Sequence, residues 1–223
     1  MIASILKPKS YEDILKELKK LSMNERFKKF VELLNNNTCN MEKANIILKS
    51  FKSINYINDR GETALIIACK RKGLIDIVKL LLDTKNCNLD IADKNDNTAL
   101  TYACSNGYYD IVKLLLENGA KVNFGYKIQS PLCEAAGLRN INMVELLIQY
   151  GADVKYYNER FNYSPLTRAL NGYSTEATKF LIERGARLDV KDRDGNTPLM
   201  LAIERGYTDI VNLILEKLKE NKK

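Results

Sequence analysis

The sequence predicts an all-α solenoid of stacked helix-turn-helix units, and three observations predict it. A helix-opening motif occurs five times: TALIIAC from Thr63, TALTYAC from Thr98, SPLCEAA from Ser130, SPLTRAL from Ser164 and TPLMLAI from Thr197. The intervals between openings are 35, 32, 34 and 33 residues. Each opening is followed by a second apolar-periodic run, namely LIDIVKLLL, YDIVKLLL, INMVELLI, TEATKFLI and TDIVNLIL. After three of these runs comes a Gly-Ala pair, at Gly119, Gly151 and Gly185. Self-similarity at such a period marks units that bury their apolar faces only by stacking on one another.

Each element follows from its own residues. SYEDILKELKKL reads as an amphipathic helix capped by Ser10, with Ile14, Leu15, Leu18 and Leu21 on one side. It is expected to cover the open end of the stack, because an uncovered end exposes core leucines; docking a partner is the alternative. Residues 41–55, MEKANIILKSFKSIN, align without gaps to 109–123, so Ile46, Ile47 and Leu48 take the place of the leucine triplet. With NERFKKFVELL, residues 24–34, they form a degenerate first unit in which Phe51-Lys52 replaces the Gly-Ala pair.

In the regular units Thr or Ser caps the first helix, and Pro131, Pro165 and Pro198 suit its first turn. Ala68, Ala103, Ala135, Ala169 and Ala202 let neighbouring helices approach closely, and the glycines after the second run suit a left-handed C-cap. Arg139 stands where other units have Gly73, Gly107 and Gly206; either the turn shifts to Gly137 or the junction is locally distorted. The organisation is a single domain: 1–23 an N-terminal helix, 24–57 a capping unit, 58–218 five units, and 219–223 a basic tail.

Composition narrows the function. No stretch approaches the ~20 apolar residues that span a membrane, and the apolar run before Lys7 is too short for a signal peptide. A cytoplasmic protein is expected. The net charge of +7 resides at the ends: residues 54–211 carry 20 charges of each sign. That distribution disfavours a nucleic-acid binder, which concentrates basic residues on its working surface. The chain has no histidine, so the usual Ser-His-Asp and Cys-His pairs and histidine zinc ligands are excluded. No phosphate-binding glycine motif occurs. Neither a catalytic residue, a metal site nor a cofactor is expected. Cys69 and Cys104, each following an alanine, read as equivalent buried and reduced core positions.

The openings, the second runs and the GAKVN, GADVK and GARLD linkers together resemble the ankyrin repeat. That resemblance implies a hairpin-like finger, two short helices and a loop in about 33 residues. The TPLH histidine of that family is absent: Ile66, Thr101, Cys133, Thr167 and Met200 stand there, so bonds between units are left to Thr or to none. The resemblance implies a protein partner held on a concave surface of fingers and first helices. On the fingers it points to Arg60 and Glu62; Lys94, Asn95 and Asn97; Tyr126, Lys127 and Gln129; Arg160, Phe161 and Tyr163; and Arg193, Asp194 and Asn196, to which the rings of the irregular fingers add Tyr156 and Tyr157. On the first helices it points to Lys70, Arg71, Ser105, Asn106, Leu138, Asn171, Glu204 and Arg205. The fingers before Ser130 and Ser164 are one residue short and one residue long, and their rings and basic groups are either a binding hot spot or filler. The expected function is a monomeric, non-enzymatic protein-binding module; a secreted effector or a stoichiometric inhibitor of one enzyme is the alternative.

Overall fold

A computed structural model describes residues 11–35, 40–84, 86–124 and 130–220. The chain opens with α1 (Tyr11–Lys20), α2 (Met23–Asn35) and α3 (Met41–Lys49). Five helix pairs follow: α4 (Ala64–Cys69) and α5 (Ile75–Leu82), α6 (Ala99–Ser105) and α7 (Tyr109–Glu117), α8 (Pro131–Ala136) and α9 (Ile141–Gln149), α10 (Pro165–Asn171) and α11 (Thr175–Glu183), α12 (Pro198–Glu204) and α13 (Thr208–Glu220). First helices pack in one row, α2-α4-α6-α8-α10-α12, and second helices in another, α3-α5-α7-α9-α11-α13. The core lies between the two rows. Among the described residues no strand forms, and one antiparallel bridge joins Asn158 to Tyr163.

The first helices have only six or seven residues, too few to persist alone. Their ends are fixed locally. Thr63, Thr98, Ser130, Ser164 and Thr197 accept a hydrogen bond from the backbone N–H three residues on. Their middles are fixed by burial, since Ala68, Ala103, Ala135, Ala169 and Ala202 expose nothing. α8 and α10 approach closely, since a Cβ on Gly172 would lie 2.5 Å from the Gly137 carbonyl oxygen. Gly119, Gly151 and Gly185 end second helices at φ of 88°, 85° and 82°, as the sequence predicts.

At the front, α1 packs on α3, with Leu18 buried and Ile14, Leu15 and Leu21 half-buried against the core. Arg26 of α2 is buried and donates to the carbonyls of Lys19, Leu21 and Ser50, tying the ends of α1 and α3 together. Phe51 stacks at 6.1 Å on Phe27 and meets Phe30 edge-on at 6.0 Å, so rings fill the space left by the missing Gly-Ala pair. The expected Ser10 cap lies outside the described residues.

Two alternatives that the sequence leaves open are decided. The turn at Arg139 does not shift to Gly137, which keeps a right-handed φ of −74°; Arg139 itself adopts φ 57°, and Tyr173 of the next unit does the same. Second, Thr101 and Thr167 do not reach across units. Each closes a capping box on its own Thr98 or Ser164. Several ties between units come from the linkers. Asn55 accepts from Asn88 N–H and donates to the Asn86 carbonyl, Asp90 accepts from Lys121 N–H, and Asn123 bridges Gly151 and Asp153. Cys69, Cys104 and Cys133 are free and buried, and burial pushes the Cys133 thiol up to about 12. No described helix is long and apolar enough to cross a membrane.

Candidate functional site

The candidate site is built on the fingers, and one side chain holds each of the four that are described. Asn58 Oδ1 accepts from the N–H groups of Arg60 and Glu62, Asp93 Oδ1 from those of Asn95 and Asn97, and Asp192 Oδ1 from those of Asp194 and Asn196. In the longer finger Asn158 Oδ1 accepts from Arg160 and Phe161 N–H. A backbone bond closes each loop, from Asn58 to Glu62, Asp93 to Asn97, Asn158 to Tyr163 and Asp192 to Asn196. Asn and Asp do this because their short side chains mimic a backbone turn. These four anchors were not singled out as a set, although NDRGET, DKNDNT and DRDGNT share an Asn or Asp five residues before the cap.

With the loops held, their tips point outward. Arg60, Lys94, Asn95, Arg160, Arg193 and Asp194 are exposed, and so are Ser105, Asn106, Leu138, Asn171 and Glu204 along the first helices. Asn97, Tyr156, Tyr157, Phe161, Tyr163, Asn196, Lys70, Arg71 and Arg205 are half-buried. Tyr126, Lys127 and Gln129 lie outside the described residues. Adjacent fingers are joined where Lys94 N–H donates to the Arg60 carbonyl at 3.1 Å.

Glu62 departs from expectation. It is only 6% exposed, and its carboxylate accepts from Lys70 Nζ at 2.6 Å and Asn58 Nδ2 at 2.9 Å. Burial pushes this carboxyl up, but those two bonds outweigh it and hold the group below the usual glutamate value. Lys70 is correspondingly raised: burial lowers it, and the Glu62 bond together with the Tyr102 and Glu62 charges more than offsets that. Lys70 Nζ also sits 4.4 Å from the Tyr102 ring centre, and the Tyr102 hydroxyl donates to Asp93 at 2.6 Å. Glu62 is therefore a strut linking two fingers and not a free contact. A cleft of about 440 Å³ opens beside it, with Lys28, Arg60 and Arg71 on its walls.

In the longer finger two rings turn inward at their hydroxyls. Tyr157 donates to Asn162 Oδ1 at 2.8 Å, and Tyr156 accepts from Asn158 Nδ2 at 3.2 Å. Tyr163 is different, because Arg193 and Arg168 both stack on it, at 4.4 and 5.6 Å from the ring centre. Behind Arg168 lies Glu134, whose carboxyl is raised by burial and only partly drawn back by the Arg168 charge and the Ser105 bond. The sequence reading passed over Arg168 and Tyr173, which carry no motif of their own.

Short helices stacked in two rows, with Asx-anchored loops displayed at one end, define a repeat protein whose surface is a row of independent tips on a common frame. This chain belongs to the ankyrin-repeat family: the family described as Ankyrin repeats (3 copies) matches residues 22–125 and 132–223. It is 29% identical over 160 residues to the probable 26S proteasome regulatory subunit p28 of Saccharomyces cerevisiae, covering 69% of this chain and 70% of that protein. It is 27% identical over 179 residues to the ankyrin repeat protein nuc-2 of Neurospora crassa, covering 76% of this chain and 16% of the relative. To the B-cell lymphoma 3 protein homolog of Mus musculus it is 30% identical over 161 residues, covering 70% of this chain and 35% of that one. The chain thus spans a minor part of the second and third of these relatives. Ankyrin repeats are protein-interaction modules, and the family is in general non-enzymatic.

Proposed function

We propose that this chain is a monomeric, non-enzymatic module of the cytoplasm that binds another protein on a concave face of fingers and first helices. The observation that carries the reading is the set of anchored fingers whose tips differ from unit to unit, Arg60, Lys94-Asn95, Arg160 and Arg193-Asp194. Loops already held by their Asx anchors lose little freedom on binding. Tyr163 and Phe161 add half-buried rings beside arginine, the residue types that carry most interface energy. In this reading α1 and the unit of α2 and α3 close one end of the stack, and the five units of 58–218 present the face. The neutral charge of 54–211 speaks for a protein partner and against nucleic acid. One relative bears the name of a proteasome regulatory subunit, which accords with action by binding.

The test is affinity capture from lysate of the source cell, read by mass spectrometry. The wild type is compared with Lys94→Ala/Arg193→Ala on the fingers and with Lys113→Ala on the second-helix row. A protein held by the wild type and by Lys113→Ala, and lost by the finger variant, is the expected outcome. Identical capture by all three would move the site elsewhere. A single enzyme recovered at one-to-one stoichiometry would identify the inhibitor form of this function.

A further inference from the structure

Over the last three units lie five arginines that form no close ion pair, although Arg168 feels the charge of Glu134 behind it. Among the described residues, Arg139, Arg160, Arg168, Arg193 and Arg205 make none of the ion pairs within 4.0 Å. They lie on rings instead. Arg193 and Arg168 flank Tyr163; Arg205 and Arg139 flank Tyr173, at 5.0 and 5.6 Å; Arg160 lies 5.2 Å from Phe161. A guanidinium beside a ring is attracted to its face, and where it is exposed it keeps N–H groups for a planar acceptor. Arg139 Nε donates to the Gly172 carbonyl, and Arg205 Nη2 to Asn171 Oδ1. Three donors stay unsatisfied although buried: Arg168 Nε, Arg205 Nε and Arg205 Nη1. Those three donors are shielded from solvent, so the edges open to a partner belong to the exposed Arg139, Arg160 and Arg193.

The backbone adds an independent observation. At the turn after the first helix, three units place glycine in the left-handed region, Gly73, Gly107 and Gly206, at φ of 80°, 73° and 68°. Arg139 and Tyr173 hold the same conformation, at 57° each, with large side chains that glycine would spare the strain. Both of these side chains belong to the arginine–tyrosine band, and Tyr173 is 56% exposed. The chain thus keeps two strained residues where their side chains complete a cationic, aromatic surface.

We propose that this band receives an extended segment of the partner protein rich in aspartate and glutamate, its carboxylates meeting the exposed guanidinium groups of Arg139, Arg160 and Arg193 while Tyr163 and Tyr173 serve as platforms. Arginine forks match carboxylates in two-point contact. Units stacked ~10 Å apart and an extended chain rising ~3.3 Å per residue let about six to eight residues cross three units. Glu159, Asp194 and Glu204 are exposed beside the band. They confine the positive field to a cluster, which suits a short acidic segment and opposes a continuous phosphate backbone. This inference rests on the protein-binding reading above and names the chemistry of the partner.

Fluorescence anisotropy on the full chain tests it with three labelled probes: a peptide of about ten residues alternating Glu and Ser, the same peptide with Gln for Glu, and an oligothymidine of about ten nucleotides. At low salt the Glu peptide is expected to bind at least ~10-fold more tightly than the Gln peptide, and to weaken as salt rises. Arg160→Gln/Arg193→Gln, both exposed, is expected to weaken it ~5-fold or more with an unchanged melting temperature. Tyr173→Gly is expected to weaken it as well while leaving the melting temperature equal or higher, an outcome that a purely structural role for Tyr173 does not produce. Lys113→Gln, on α7, leaves binding unchanged. Equal affinity for the Gln peptide, binding indifferent to the arginine variant, or tighter binding of oligothymidine would each overturn the proposal. If the finger variants still lose a captured protein while the Glu peptide fails to bind, the protein-binding reading stands and this inference falls. If capture is unaffected too, both fall.

Discussion

Glu62 shows how one side chain can stabilise a finger while standing in the middle of a candidate binding face. Its carboxylate joins Asn58 of its own loop to Lys70 at the end of α4, and Lys70 leads through the Tyr102 ring to Asp93 of the next finger. Because the Glu62 pair is largely withdrawn from water, its loss leaves Lys70 and Asn58 short of an acceptor. Glu62→Gln is expected to lower unfolding free energy by about 1–3 kcal/mol, measured by urea titration. The pH dependence has a definite sign. The folded-state value lies below 4.5, so the stabilisation is complete above pH ~4.5 and is lost as pH falls through the folded value. The gap between wild type and Glu62→Gln should therefore close under acid. Glu134 acts oppositely, since burial raises its carboxyl above 4.5, so acidification relieves a cost there. A gap that stays constant down to pH 3 would remove Glu62 from this role.

At the scale of single elements, the first helices depend on small residues more than on propensity. α8 and α10 meet backbone to backbone at Gly137 and Gly172, and the two glycines are not equivalent. A methyl on Gly172 meets a carbonyl oxygen at 2.5 Å, which yields only if a helix moves. A methyl on Gly137 meets Arg168 Nη2 at 2.9 Å, the far end of a flexible side chain. Gly172→Ala is accordingly expected to cost about 1–3 kcal/mol, and Gly137→Ala clearly less. Thermal melts of the two variants check this, and equal losses would show that the backbone approach is not the controlling contact. Helix starts and ends follow simpler rules, because a cap involves atoms only three residues apart.

The whole molecule is a chain of nearest-neighbour contacts in two rows, so its stability is a sum of unit and interface contributions. Leu115 sits in α7, fully buried. Leu115→Ala should open a cavity and cost about 2–5 kcal/mol. The loss should also reach the flanking pairs α4–α5 and α8–α9, seen as faster amide exchange there than in the distant α12–α13. A cost below ~1 kcal/mol, or uniform exchange throughout, would contradict stacking of this kind. The same neighbour logic explains the linker bonds of Asn55, Asp90 and Asn123, each joining one unit to the next.

From the sequence by itself came the period, the caps of the five short first helices, the left-handed glycines at 119, 151 and 185 and the exposed tips such as Arg60, Lys94 and Arg193. All of these depend on spacings within a unit or on one unit repeating another, and such information is local. The tertiary structure alone decided that Glu62 is a buried strut, that Thr101 and Thr167 bond inward, and that Arg139 takes the left-handed turn without help from Gly137. It also decided that Arg168, Arg193 and Arg205 gather on Tyr163 and Tyr173. Several of those contacts join residues some 30 positions apart, brought together only when successive units stack. Burial and charge pairing are properties of that stacked surface, whereas a cap or a period is a property of the chain.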